Sequence, residues 1–191
     1  VDKKRECLSQ NHDSDYIPDL LDLLVTARDK DGLSDNELLQ NIFIFFLAGH
    51  ETSSGVLTTV LHFFGKYPDI QEKCRLEVES VIGNGDIDAK LLKKLEFMGK
   101  VINESLRLLG PVRSLIRETI EDCTLGDYFI PKGTYVSLQL RNMQTDPEIW
   151  GSDVNEFNVD RWNSNRQRHE DLLFMPFGYG PRICIGKNFA M

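Results

Sequence analysis

Three features of the order of this chain predict a mainly α-helical, α+β fold. Apolar runs with helical period fill most of residues 19–109, and short β-type runs separated by turn residues follow between 114 and 140. A glycine-rich segment holding a single cysteine closes the pattern at residues 177–186.

Residues 1–15 are polar and charged and read as a loop or frayed end. Residues 19–29 carry Leu20, Leu21, Leu23, Leu24 and Val25, which predicts a helix ending near Lys30-Asp31-Gly32. Ser34 and Glu37 have capping-box spacing, each side chain able to take the other's backbone N–H. They launch a long helix over residues 35–66. Residues 42–47 within it are apolar on every side, which predicts burial.

Ala48-Gly49-His50-Glu51-Thr52-Ser53 interrupts that run with groups that helices resist. Glycine costs roughly 1 kcal/mol against alanine, and a threonine hydroxyl bonded to the carbonyl one turn earlier bends a helix. The segment predicts a local bulge and a groove for a small molecule. A solvent-facing Glu51 with Thr52 bonded to its own backbone remains the plain alternative.

Pro68 in a first turn restarts a helix, and Gly83-Asn84-Gly85 closes it. The next helix covers residues 90–109 and stops at Gly110-Pro111. Runs 114–119, 123–130 and 134–140 read as strands of a small sheet, with turns at Gly126-Asp127 and Pro131-Lys132-Gly133. Residues 146–168 read as irregular, anchored by Trp150 and Trp162.

The 191 residues suffice for one good core or two small ones. A net charge of −8 argues against a nucleic-acid partner. Cys7, Cys74, Cys123 and Cys184 are widely spaced and form no C-x-x-C pair, so neither a disulfide framework nor a zinc site is expected. The longest apolar run is far short of the roughly 20 residues that cross a bilayer. The chain opens on Val1 rather than Met and stops soon after Cys184, which reads as a piece of something longer.

Phe177-Gly178-Tyr179-Gly180-Pro181-Arg182-Ile183-Cys184-Ile185-Gly186 carries the most chemistry. Gly178 and Gly180 permit turns closed to other residues, and Gly186 lets a flat cofactor approach the backbone. A cysteine ahead of a helix start at Lys187 meets unpaired N–H groups that favour its thiolate. Such a sulfur can ligate iron. A lone cysteine in a glycine-rich loop is more often a small buried hydrophobe.

The five anchors Phe177, Gly180, Arg182, Cys184 and Gly186 resemble the F-x-x-G-x-R-x-C-x-G haem loop of the cytochrome P450 family. The resemblance extends over nearly the whole chain and implies a partial cytochrome P450 fold at residues 1–191. Its parts would be a long central helix, an E-x-x-R helix, a small sheet and the cysteine loop. It makes Cys184 the axial ligand of haem iron, gives Arg182 a propionate, and sets Phe177 near the thiolate side of the ring. Ala48-Gly49-His50-Glu51-Thr52-Ser53 is similar to the family's A-G-x-[DE]-T-[TS], which assigns Glu51 and Thr52 to proton delivery.

Glu104 and Arg107 are similar to the family's E-x-x-R, and Arg161 to the arginine of its P-E-R-F stretch, written here Val159-Asp160-Arg161-Trp162. The resemblance implies a structural triad that fixes the loop presenting Cys184. Arg117 stands where the family has a second propionate-binding arginine. Ala48, Val112 and Leu115 would line the substrate pocket. Gly110 and Arg113 replace frequent prolines, and Gln144 replaces a frequent histidine.

Monooxygenation of an apolar organic substrate follows from the resemblance, with O2, haem and electrons from NADPH through cytochrome P450 reductase. The reductase would dock on Lys90, Lys93, Lys94, Lys100 and Lys187, although a solvated face explains those lysines equally. The location implied is the endoplasmic-reticulum membrane, facing the cytosol, with the anchor outside this chain. The N-terminal half and last segment would be absent, so the chain alone is expected to be inactive. A haem-thiolate isomerase or dehydratase, disfavoured by Thr52, and a non-catalytic truncated product stay as alternatives.

Overall fold

The computed structural model describes residues 17–163 and 170–191. Helix α1 (Leu20–Asp31) begins at Asp19, whose carboxylate accepts the Asp22 N–H at 2.9 Å while Asp22 returns the bond at 2.8 Å. The Ser34–Glu37 box forms as expected, with N–H bonds of 2.9 and 3.3 Å, and opens α2 (Asp35–Lys66). The hydroxyl and backbone N–H of Ser34 hold the Glu37 carboxyl below its usual range. Two compact units divide between Glu51 and Thr52. Val25 and Leu38 are buried in the first.

Two expectations for α2 are corrected. Its α-helical pattern runs unbroken through residues 48–53, so there is no bulge. The hydroxyls placed along it, such as Thr58 bonded to Ser54 O, fit within regular helix geometry. Nor is the apolar run buried: Phe43 is 64% and Phe46 69% exposed. Ile42 and Phe45 of the same run are half-buried, so the run is exposed over part of its circumference.

The core lies in the second unit. Val60 and Phe63 of α2 pack with Cys74 of α3 (Pro68–Val81), Val101 and Leu108 of α5 (Glu96–Leu109), Phe157 and Val159. Phe63 and Phe157 stack with centroids 3.9 Å apart and planes 16° from parallel. Burial, with Glu77 nearby, pushes the Cys74 thiol up to about 11. That sulfur is core filling. Val159 stands where the resemblance has proline, and its burial in this cluster gives the valine a packing role.

The helix expected over 90–109 is two elements. Asp88 accepts N–H bonds from Lys90 and Leu91, both 2.7 Å, and supports one turn, α4 (Ala89–Leu92). The chain then turns through Lys93–Leu95 before α5. Leu95 has no side chain able to cap α5; Glu77 of α3 does it from 20 positions earlier, accepting Phe97 N–H at 2.7 Å and Met98 N–H at 2.8 Å. Two orphan donors and the helix dipole meet one carboxylate. Glu77→Ala is therefore expected to cost about 2 kcal/mol, the upper range for a lost cap. A urea midpoint within error of the wild type would contradict this.

Strands β1 (Leu115–Glu118) and β4 (Tyr135–Leu138) pair antiparallel, with Leu115 opposite Leu138. Strands β2 (Cys123–Leu125) and β3 (Tyr128–Ile130) form a hairpin around Gly126-Asp127. The expected single sheet is thus two separate two-stranded ones. The predicted third run is also shortened, because Leu140 begins α6 (Leu140–Gln144). Residues 146–168 are less irregular than expected. Asp146 caps α7 (Pro147–Trp150) by accepting Glu148 N–H at 2.9 Å, and Val159–Trp162 forms a 3₁₀ turn. Part of that span, 164–169, lies outside the described residues.

Candidate functional site

Glu104 and Arg107 face the same side of α5 because three residues nearly complete a turn. Both are fully buried and meet in a two-pronged pair, Nε to Oε2 and Nη2 to Oε1, each 2.8 Å. The remaining donors of Arg107 reach carbonyls on one stretch of chain. Nη1 bonds Gln144 O at 2.9 Å and Val154 O at 2.8 Å, and Nη2 bonds Glu156 O at 3.3 Å. All five guanidinium hydrogens have partners. The cation also lies 5.2 Å from the Trp150 ring centroid.

Arg161 joins them, its Nε 3.4 Å from Glu104 Oε1. Its other donors hold Trp150 O at 2.6 Å, Asp153 O at 3.2 Å and Asp153 Oδ2 at 2.8 Å. Two carboxylates thus face two guanidiniums. Asn158 and then Arg161 hold the Asp153 carboxyl below its ordinary range. Desolvation makes a buried ion pair favourable only when its geometry is good and its spare donors are satisfied. This cluster meets both conditions.

The structure therefore brings Glu104, Arg107 and Arg161 together. Sequence reasoning missed further partners of Glu104: Asn158 N–H at 3.1 Å on Oε1 and the Trp162 indole N–H at 3.0 Å on Oε2. No local spacing signals these, since they arrive from 54 and 58 positions away. Gln144 is buried, and the carbonyl through which it serves Arg107 is one any residue would supply.

The cysteine loop is shaped by its backbone. Cys184 N–H donates to Phe177 O at 2.8 Å, closing the loop on itself. Gly178 and Gly180 have φ of 74° and 71°, the left-handed region. A Cβ on Gly178 would lie 3.7 Å from Leu115 Cδ1, an ordinary contact, so backbone conformation rather than space calls for glycine there. The same contact places the start of β1 against the loop. Phe177 is half-buried; Cys184 and Arg182 are exposed.

A single turn, α8 (Lys187–Ala190), follows, with Cys184 two residues ahead of its N-cap, Gly186. The expected helix start behind the cysteine forms at Lys187. Cys184 is a free thiol, and Arg182 pairs with no carboxylate among the described residues. A Cβ on Gly186 would stand 3.9 Å from Sγ. An exposed soft sulfur, an uncommitted guanidinium and an open glycine flank fit a flat iron-bearing cofactor with anionic arms.

Of the remaining candidates, Leu115 borders the loop at Gly178. Arg117 on β1 is exposed and donates to its own neighbour, Ile116 O, at 2.8 Å. Ala48 and Glu51 are exposed on α2 in the first unit, and Thr52, half-buried, begins the second. Val112 is exposed and Leu115 half-buried. At Gly110 a Cβ would come 2.5 Å from Leu106 O, so the chain itself leaves room only for glycine there. Of the lysines, Lys100 is committed to Asn163 Oδ1 at 2.8 Å, while 90, 93, 94 and 187 are exposed.

Comparison with known proteins gives the same direction over the full length. The family model described as Cytochrome P450 matches residues 1–191. A cytokinin hydroxylase of Arabidopsis thaliana is 38% identical over 194 residues, covering 100% of this chain. Cytochrome P450 709B1 of the same plant is 40% identical over 93% of it, and cytochrome P450 72A397 of Kalopanax septemlobus 33% identical over 100%. The chain spans 36–38% of the length of these three relatives.

Proposed function

Because this chain belongs to the cytochrome P450 family, we propose that the full-length protein is a haem-thiolate monooxygenase. It would hydroxylate an apolar organic substrate, placing one atom of O2 in the product. The other atom leaves as water, using two electrons from NADPH delivered by cytochrome P450 reductase and two protons. The supporting observation is the loop itself: an exposed free thiol, Cys184, two residues after an exposed cation, Arg182, that pairs with no carboxylate among the described residues. Two relatives are named cytokinin hydroxylase, which favours hydroxylation as the form of the reaction.

Haem held at this loop supplies the oxygen activation, since a thiolate ligand pushes electron density that favours O–O cleavage. Cys184 Sγ is the proposed iron ligand. Arg182 and a reoriented Arg117 hold the propionates, and Phe177 covers the sulfur. Gly178 shapes the loop, and Gly186 leaves the flank of Sγ open. The Thr52 hydroxyl and Glu51 carboxylate hold and pass protons. Ala48, Val112 and Leu115 line the substrate pocket, while Glu104, Arg107 and Arg161 fix the segment that leads to the loop.

The exposed rings of α2 would be covered by segments of the full-length protein outside this chain, which the relatives' length supports. No helix of the described residues is long and apolar enough to cross a membrane. The proposed seat at the endoplasmic reticulum therefore depends on an anchor elsewhere. The exposed lysines offer the reductase a cationic edge.

A carbon monoxide difference spectrum of the reduced full-length protein tests the reading. The expected result is the Soret position of a thiolate-ligated ferrous haem. A haem-loaded sample without that band would overturn it. Formation of product only with NADPH, reductase and O2 separates monooxygenation from isomerase or dehydratase chemistry, which needs no external electrons.

A further inference from the structure

Trp162 occupies an unusual position between the two halves of the site. Its indole N–H donates to Glu104 Oε2 at 3.0 Å, sharing that oxygen with Arg107 Nε at 2.8 Å. The same ring lies edge-on to Phe174, 4.6 Å between centroids at 62°, and 6.1 Å from Trp150. Phe174 is three residues ahead of Phe177, whose carbonyl accepts the Cys184 N–H at 2.8 Å. Arg161, one residue earlier, reaches Glu104 at only 3.4 Å and spends its other donors on Trp150 and Asp153. Trp150 also meets Phe174 edge-on, 6.4 Å between centroids at 81°, from its place beside the Arg107 cation, whereas Trp162 joins Phe174 to the Glu104 carboxylate itself.

We propose that Trp162 is a positioning residue for Cys184, transmitting the orientation fixed by Glu104 and Arg107 to the ligand loop through its contact with Phe174. An indole suits this task. It is flat, has only two side-chain torsions to immobilise, and carries a donor at its rim. Its bond to an ionised carboxylate is charge-assisted, hence stronger than a neutral one. A phenylalanine at this position could keep the edge contact but has nothing to donate. Without the indole, Oε2 would be left with one donor in a site closed to water. The geometry stands by itself; its consequence for iron ligation rests on the proposed function.

Trp162→Phe in the full-length protein tests the link through two readouts. Backbone amide exchange over residues 177–186 should rise about tenfold, as expected for a lost bond to a charged group. Exchange in the β2–β3 hairpin should stay unchanged. The reduced, carbon monoxide-bound haem should also lose its thiolate signature about tenfold faster than in the wild type. Phe174→Leu breaks the link at its other end and should loosen the same residues, which keeps the test decisive if Trp162→Phe does not fold.

Unchanged exchange at 177–186 in these variants, or a uniform rise throughout the protein, would make Trp162 mere packing and overturn the inference. A wild type with the thiolate band but no such loop response defeats this inference alone. A loop response in a protein whose wild type lacks the band supports the link and defeats the haem-thiolate reading instead.

Discussion

Replacing Cys184 with serine in the full-length protein is expected to abolish the thiolate signature and the O2-dependent hydroxylation together. Serine is close in size and keeps the backbone N–H that Cys184 donates to Phe177 O at 2.8 Å, so the loop should close as before. What disappears is a sulfur able to donate electron density to iron. Changing a group that merely supports a metal ligand typically lowers affinity or activity about 10–100-fold. Loss of the ligand itself should exceed the upper end of that range. Cys123→Ser is the control, because Cys123 is an exposed free thiol on β2. Retention of both the Soret position and product formation in Cys184→Ser would remove Cys184 from the chemistry, whatever the family membership.

That prediction could be framed from sequence because the loop is local. Its turns, cysteine and arginine fall within ten residues, and the glycines at 178 and 180 adopt the left-handed conformations their spacing suggests. The Ser34–Glu37 box was legible for the same reason. The cap of α5 was not, because Glu77 comes from another helix and nothing near Leu95 announces it. Asp146-Pro147 carries a cap and a first-turn proline, but the four residues of α7 are too few to show a period, so the span reads as irregular in sequence. The apolar run of α2 misled in a different way. Hydrophobicity reports the environment a segment evolved for, whereas Phe43 and Phe46 are exposed among the residues described.

Glu104→Ala should have the largest structural effect, abolishing haem incorporation in the full-length protein. The carboxylate has no exposed surface and accepts from Arg107, Arg161, Asn158 N–H and Trp162 Nε1. Removing it leaves two guanidiniums 0% and 9% exposed, facing a small void and balanced among the described residues by Asp153 on one side. Breaking a buried pair this way typically costs about 3–5 kcal/mol, a large share of the 5–15 kcal/mol that holds a domain together. The loss falls on particular elements. Arg107 would no longer be aimed at the carbonyls of Gln144, Val154 and Glu156, so the stretch from α6 to the 3₁₀ turn would lose its tether to α5. Because Trp162 sits on that turn and against Phe174, disorder there reaches the cysteine loop. Glu104→Gln separates charge from shape: it fills the space and still accepts at one oxygen, but presents an amide where donors converge. Its haem content should fall between wild type and Glu104→Ala. A Glu104→Ala protein that loads haem fully, with the thiolate Soret band unmoved, would show that the cluster does not hold the ligand loop.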